Sequence, residues 1–228
     1  MNRREALIAS GVVMSGGLLN AKETATSVSL NRSYGTIHEI VPLPFDPKKV
    51  DGISEKVLLS HHRNNYAGAV KKLNLIQKQI ASMPNSAHPI EYGALKKEEL
   101  IAMNSKLLHE LYFENLGGDG VITQQMQKVL VQAFGSLDAW KKDFVKTAKS
   151  LSGGSGWVIL SYLKQQQTLM HQIASDHTDS LATGVPLLVL DMYEHSYHMD
   201  WGTKSSEYIK AFLNNTNWKI VSERLKMA

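Results

Sequence analysis

The 228-residue chain contains no cysteine. Disulfides, zinc–thiolate sites, iron–sulfur clusters and thiol catalysis are thereby excluded. It also lacks a strong excess of one charge: 25 Lys and Arg stand against 21 Asp and Glu, a net charge of +4. The basic doublets Lys71-Lys72, Lys96-Lys97 and Lys141-Lys142 are dispersed along the chain and read as solvated helix faces rather than a nucleic-acid surface. Long hydrophobic runs are missing too. The apolar stretch from Ala6 to Leu19 is too short and too rich in glycine for a membrane-spanning helix. No internal repeat is evident. What is present is an ordinary globular composition, 43% hydrophobic and 20% charged, and enough chain for one large domain or two smaller layers over a real core.

The start of the chain has its own logic. Arg3 and Arg4 precede the apolar stretch, the pattern of an export signal, and the arginine pair points to the twin-arginine type. That route carries folded proteins and suits a metalloprotein loaded before export. We therefore expect an export signal over residues 1–21, a polar tail or linker over 22–37, and a mature protein exported to the periplasm with no membrane segment. The alternative is a disordered N-terminal extension.

Residues 41–45 (Val-Pro-Leu-Pro-Phe) must be extended, because each proline biases its predecessor away from helix. Ser54 can cap a long helix reaching Met83, with an apolar stripe of Val57, Leu58, His61, Val70, Leu73, Ile76 and Ile80. The segment Met83 to Pro89 breaks it, and a second helix is expected over Leu95 to Leu116, ended by Gly117-Gly118-Asp119-Gly120. Two shorter helices follow, Thr123–Phe134 and Leu137–Ser150, the latter capped by Ser136. Strands are expected at Trp157–Leu163, Thr168–Ala174 and Pro186–Leu190, with Gln165 to Gln167 as a hairpin tip. Helices over Ser206–Asn214 and Lys219–Lys226 close the chain. The fold class is α+β: an N-terminal long α-hairpin domain over residues 38–120, then a C-terminal α/β domain over 121–228 with a small three-stranded antiparallel sheet surrounded by helices.

Four residues far apart in the chain carry the chemistry: His61, His109, Asp191 and His195. Asp191 and His195 are four residues apart, directly after the apolar run Leu187 to Leu190. His61 and His109 each lie in an amphipathic helical stretch. Three imidazoles and one carboxylate make a site suited to iron or manganese. On a helix, neighbouring residues point about 100° apart, so only one of His61 and His62 faces such a site.

The run Asp191-Met-Tyr-Glu-His195-Ser-Tyr resembles the iron/manganese superoxide dismutase signature Asp-x-Trp-Glu-His-Ala-Tyr-Tyr. Ser60 to Asn74 aligns without gaps on that family's Leu-His-His-x-x-His-His-x-x-Tyr-Val-x-x-Leu-Asn. Gly154-Ser-Gly-Trp157 and Asn217-Trp218-Lys-Ile-Val-Ser-Glu223-Arg are similar to two further family motifs. The resemblance covers residues 38–228. It implies a redox cycle on one iron per subunit, or manganese, that converts superoxide to dioxygen and hydrogen peroxide. It implies His61, His109, Asp191 and His195 as metal ligands and a homodimer or homotetramer. Glu194 would reach across the dimer interface to His195 of the other copy, and Trp157 would stand at the turn into the sheet.

Some positions depart from the family. Its active-site Tyr, eight residues after the first ligand, is Ala69 here, and its Trp in the Asp-x-Trp-Glu-His motif is Tyr193. A His–Tyr pair that bridges the family dimer becomes Asn65 and His198. Iron members hold a Gln four residues before the second ligand, and Ser105 stands there. The Asp176-His177-Thr178 segment resembles a family version in which a His takes the Gln's role. His177 is thus expected to hydrogen-bond solvent on the metal, which favours iron, and Tyr66, one turn beyond His61, to stand in for the missing phenol. These departures leave a second reading, a metal-binding relative with little or no dismutase activity. A mononuclear iron oxygenase would need only two His and one carboxylate, and the third His argues against it.

Overall fold

The computed structural model describes residue 34, residues 36–179 and residues 181–228. The expected export signal lies outside the described residues, as does most of the 22–37 tail. Residues 33–228 cluster as one compact unit.

Residues 36–43 form no helix or strand, as the prolines require, and the chain bends at Pro44 and Phe45, within the segment expected to be extended. This arm is tied down by side chains rather than by a sheet. His38 N donates to Asn74 Oδ1 and Asn74 Nδ2 donates back to His38 O, both at 2.9 Å. Val41 N donates to the Tyr66 hydroxyl at 2.9 Å, and Val41 O lies 2.8 Å from His62 Nε2.

The first helix starts where its cap requires. Ser54 Oγ accepts from Val57 N, and α1 covers Glu55–Ser60. It then widens into a π-helical segment, His61–Tyr66, before α2 resumes over Ala67–Ser82. The expected single helix is therefore continuous but not uniform. The extra residue in the wide turn shifts the buried stripe: after Val57, Leu58 and His61 the next buried side chain is Tyr66, five residues on, followed by Ala67, Ala69, Val70 and Leu73. A uniform α-helix repeats every 3.6 residues and would not place His61 and Tyr66 on one buried face.

The helix expected from Leu95 begins earlier, as α3, Pro89–Glu114. His88 Nδ1 caps Ile90 N at 3.3 Å, and Pro89 occupies the first turn, where a missing N–H costs nothing. Pro84 thus follows the end of α2, and Pro89 starts the next helix. α2 and α3 form the hairpin, with a small core of Leu73, Ile76, Ile80 and Ala102 at its outer part. Gly117, at φ +78°, ends the connection; a Cβ there would meet Phe45 Cβ at 2.4 Å.

Helix α5 (Leu137–Lys149) carries the expected Ser136 cap, and α4 (Gln124–Phe134) starts one residue later than expected because Thr123 is its cap rather than its first residue. Strands β1 (Trp157–Leu163), β2 (Thr168–Ala174) and β3 (Gly184–Asp191) form an antiparallel sheet in the order β2-β1-β3. Gly156, at φ +137°, turns the chain into β1 so closely that a Cβ would lie 2.6 Å from Ala174 O. β3 is longer than the expected Pro186–Leu190 and tolerates Pro186 because it is an edge strand. Between Leu160↔Leu188 and Ser161↔Pro186 the register skips Leu187. Its carbonyl accepts instead from Arg224 Nη1 at 2.8 Å, so the bulge is satisfied from the C-terminal helix. The short helix α6 (His198–Trp201), α7 (Ser205–Asn214) and α8 (Trp218–Met227) complete the fold. The main core takes Leu58 and Phe113 from the hairpin side and Trp157, Leu190, Phe144 and Phe212 from the sheet side.

Candidate metal centre

Four elements converge on one point. His61 opens the π-helical segment, His109 lies on α3, Asp191 ends β3, and His195 sits in a single 3₁₀ turn, Glu194–Ser196. Asp191 pairs with Trp157 across the sheet, which places the carboxylate at the sheet end nearest the hairpin. Its backbone is held firmly: Tyr208 Oη and Ser196 Oγ both donate to Asp191 O, at 2.7 and 3.0 Å. Its Oδ1 accepts from Tyr193 N at 2.7 Å, leaving Oδ2 to face the imidazoles.

Asp191 Oδ2 lies 3.1 Å from His61 Nε2, 3.3 Å from His195 Nε2 and 3.8 Å from His109 Nε2. One ligand atom from each of the four residues lies within 4.8 Å of the other three. His61, His109 and Asp191 are buried, whereas the His195 side chain is 30% exposed, so access to these atoms is from the His195 side. Glu194, next to it, is exposed.

The donor chemistry fits a cation. His109 Nδ1 donates to the Ser105 carbonyl at 2.6 Å, which leaves a lone pair on Nε2. That Nε2 and Asp191 Oδ2, which face each other in the cluster, are buried with no hydrogen-bond partner; so are His177 Nε2 and His61 Nδ1, the latter being the His61 nitrogen that does not face Asp191. Buried polar atoms are rarely left so. A divalent or trivalent ion satisfies the converging nitrogens and the carboxylate at once. Electrostatics agree. Burial pushes His109 down to about 3 and lowers His61, keeping both imidazoles neutral and able to ligate. Burial alone would raise the Asp191 carboxyl, but His195 and His61 outweigh it and hold it below its usual range.

A wall of rings surrounds the cluster. Trp157 meets His109 edge-on at 5.0 Å between centroids. His177 stands 6.2 Å from the His109 ring and stacks on Tyr193 at 5.3 Å. Tyr193 also stacks on His195 at 5.4 Å. The structure thus brings His177, Tyr193 and Trp157 to the site. Tyr66 is nearby, 6.5 Å from His109 by centroid, but its hydroxyl donates to Glu110 Oε1 at 2.7 Å and accepts from Val41 N. The phenol's hydrogen bonds therefore go to α3 and the arm, not to the four clustered side chains. Asn65 is half-buried and His198 exposed. His62 is half-buried beside the arm.

Several supporting residues escape a reading of the sequence. Ser105 is one turn before His109, a spacing that does signal a carbonyl partner. Tyr208, Ser196 and Glu110 act through tertiary contacts that no local pattern announces. Asn104, whose Nδ2 donates to His177 O at 2.8 Å, is another.

Comparison with known proteins agrees with this geometry. A family profile for iron/manganese superoxide dismutases, C-terminal domain, matches residues 122–224. The chain is 45% identical over 193 residues to the iron superoxide dismutase of Cupriavidus metallidurans, spanning 84% of this chain and 98% of that one. It is 32% identical over 203 residues to the iron superoxide dismutase of Aquifex pyrophilus, spanning 84% and 93%. It is 30% identical over 199 residues to a manganese superoxide dismutase of Halobacterium salinarum, spanning 84% and 96%. On this evidence the chain belongs to the iron/manganese superoxide dismutase family.

Proposed function

We propose that this protein disproportionates superoxide to dioxygen and hydrogen peroxide at a mononuclear iron held by His61, His109, Asp191 and His195, with manganese as the alternative metal. One observation carries the reading. Three imidazoles and a buried carboxylate gather their ligand atoms within 4.8 Å, in a chain 45% identical to an iron superoxide dismutase. When bound, the metal supplies a one-electron acceptor and donor for the two half-reactions. The protein's residues do the rest. Asp191 contributes the one negative charge among the four ligands. The rings of Trp157, Tyr193 and His177 line the site and leave entry to a small anion on the His195 side. His177 offers Nε2, buried and without a partner, to an oxygen in the open position. It takes this role because Ser105, where iron members carry Gln, is too short to do so.

The quaternary and cellular readings extend this. Glu194 is exposed directly beside His195, which supports a dimer in which it reaches the other copy's His195. Asn65, half-buried, and His198, exposed, would meet across the same interface. The arginine pair and apolar run at the start of the sequence support export to the periplasm by the twin-arginine route.

The test pairs elemental analysis with a dismutase assay on protein purified from its own cell. About one iron per chain, with superoxide consumption that follows iron content, is expected. Full iron without superoxide consumption would point to a metal-holding relative, for which Ala69 and Asn65 would be the first residues to restore. Oxygen uptake dependent on an organic substrate would point to an oxygenase.

A further inference from the structure

Position 193 is a tyrosine where the family signature has tryptophan, so it adds a hydroxyl that an indole lacks. The Tyr193 ring stacks on His177 at 5.3 Å with 13° between planes, and its hydroxyl lies 3.5 Å from His177 Nδ1. The His177 backbone is fixed independently, because Asn104 Nδ2 donates to its carbonyl at 2.8 Å. The other ring nitrogen, Nε2, is buried and has no partner. A neutral imidazole carries one N–H, and the hydrogen bond made by one nitrogen decides where the proton sits on the other.

We propose that Tyr193 is a positioning residue: its hydroxyl donates to His177 Nδ1 and so fixes the proton on Nε2, making His177 a hydrogen-bond donor toward the open position beside the four ligands. The inference rests on the reading of His177 given above. A separation of 3.5 Å is at the long end for an O–H···N bond, and hydrogen bonds in catalytic sites tighten when substrate is bound. Without the hydroxyl the imidazole can adopt either tautomer, and the wrong one presents a lone pair where a donor is needed.

A double-mutant cycle on iron-loaded protein tests this, with iron content, turnover and the metal's midpoint potential as readouts. Tyr193→Phe keeps the ring stack and removes only the hydroxyl. An N–H donor to an anionic oxygen favours the oxidised metal, so Tyr193→Phe should raise the potential and lower turnover about tenfold at unchanged iron content. In a His177→Gln background the same substitution should change neither readout, because an amide has no tautomer to set. Equal shifts in both backgrounds would mean that Tyr193 acts directly on Asp191 or His195, and no shift in either would mean that the hydroxyl is idle. Each of these results overturns the proposal. His177→Ala separates the underlying reading: at equal iron it should lose most turnover and shift the potential. If it leaves both unchanged, the role of His177 itself fails and the Tyr193 proposal falls with it.

Discussion

His109 shows how a single residue is prepared for ligation. Its Nδ1 proton goes to a carbonyl one turn back on its own helix, and its lone pair is then left in a buried space beside Asp191 Oδ2. Holding neutral imidazoles there has a cost when no metal is bound. The unfolded chain takes up protons at these histidines near 6.5, whereas burial pushes folded His109 down to about 3 and lowers His61 as well. With folded pKa values depressed, stability is full above 6.5 and is lost as pH falls through the window toward 3. Asp191, held below its usual 3.8, adds loss in the same direction at lower pH still. The urea midpoint of metal-stripped protein is therefore expected to fall steadily from neutrality toward pH about 4. A midpoint that stayed flat or rose over that range would show that these histidines are not held neutral. At this scale the sequence was readable where a residue type is unusual in its place. A His within an apolar stripe and an Asp just after a strand stood out before any coordinates. The destination of the Tyr66 hydroxyl did not, because Glu110 lies 44 residues away in the chain and reaches it only through the helix hairpin.

Among the elements, the π-helical segment His61–Tyr66 has the largest consequence. It lets α1 present His61 inward while α2 keeps Ala69, Val70 and Leu73 on the hairpin's buried face. Removing one residue from its exposed side, for instance Asn64, should allow a regular α-helix to run from Glu55 to Ser82. His61 and Tyr66 would then be four residues apart, within about 40° of each other, so the two halves of the stripe would stay in phase. Deletion of Asn64 is therefore expected to retain both bound metal and helical circular dichroism; loss of stoichiometric metal in the deletion variant would refute this. The helix was legible because Ser54 and the apolar spacing both point to it. The wide turn was not read, although a clue was present: the stripe jumps five residues from His61 to Tyr66. The other element-level difference, an early start of α3 at Pro89, has the same character. Pro84 does break the chain, but Pro89, directly after the His88 cap, is a first-turn residue. The strands and their caps were legible nearly to the residue, since Gly156 and the β-branched runs mark them locally, but the bulge at Leu187 was not. It depends on Arg224 arriving from the last helix.

For the whole molecule, the site is a junction. No single segment holds more than two of the four clustered side chains, and the main core fills the space between the hairpin and the sheet. Metal binding is thus expected to stabilise the fold as a unit. The exposed side of the junction carries Glu194, which on the proposed reading completes the site of a second copy. Glu194→Ala should weaken self-association and lower metal retention together, measured by light scattering and elemental analysis on the same samples. A wild-type protein that stays monomeric at micromolar concentration while keeping its metal would contradict the shared interface. The overall class, a helical hairpin followed by a three-stranded antiparallel sheet with helices, was legible from periodicity. The relative placement of its parts was not, because it rests on contacts such as Asn115 Oδ1 with Val189 N, which join segments 74 residues apart.

The most direct measurement is the decay of a superoxide pulse in the presence of iron-loaded protein, compared with Asp191→Ala and His109→Ala prepared in the same way. The wild-type protein is expected to remove many equivalents of superoxide per iron, and both variants to bind no stoichiometric iron and to remove none catalytically. Removal limited to about one equivalent per iron, a single reduction or oxidation of the metal without turnover, would contradict the account, as would full iron occupancy in either variant.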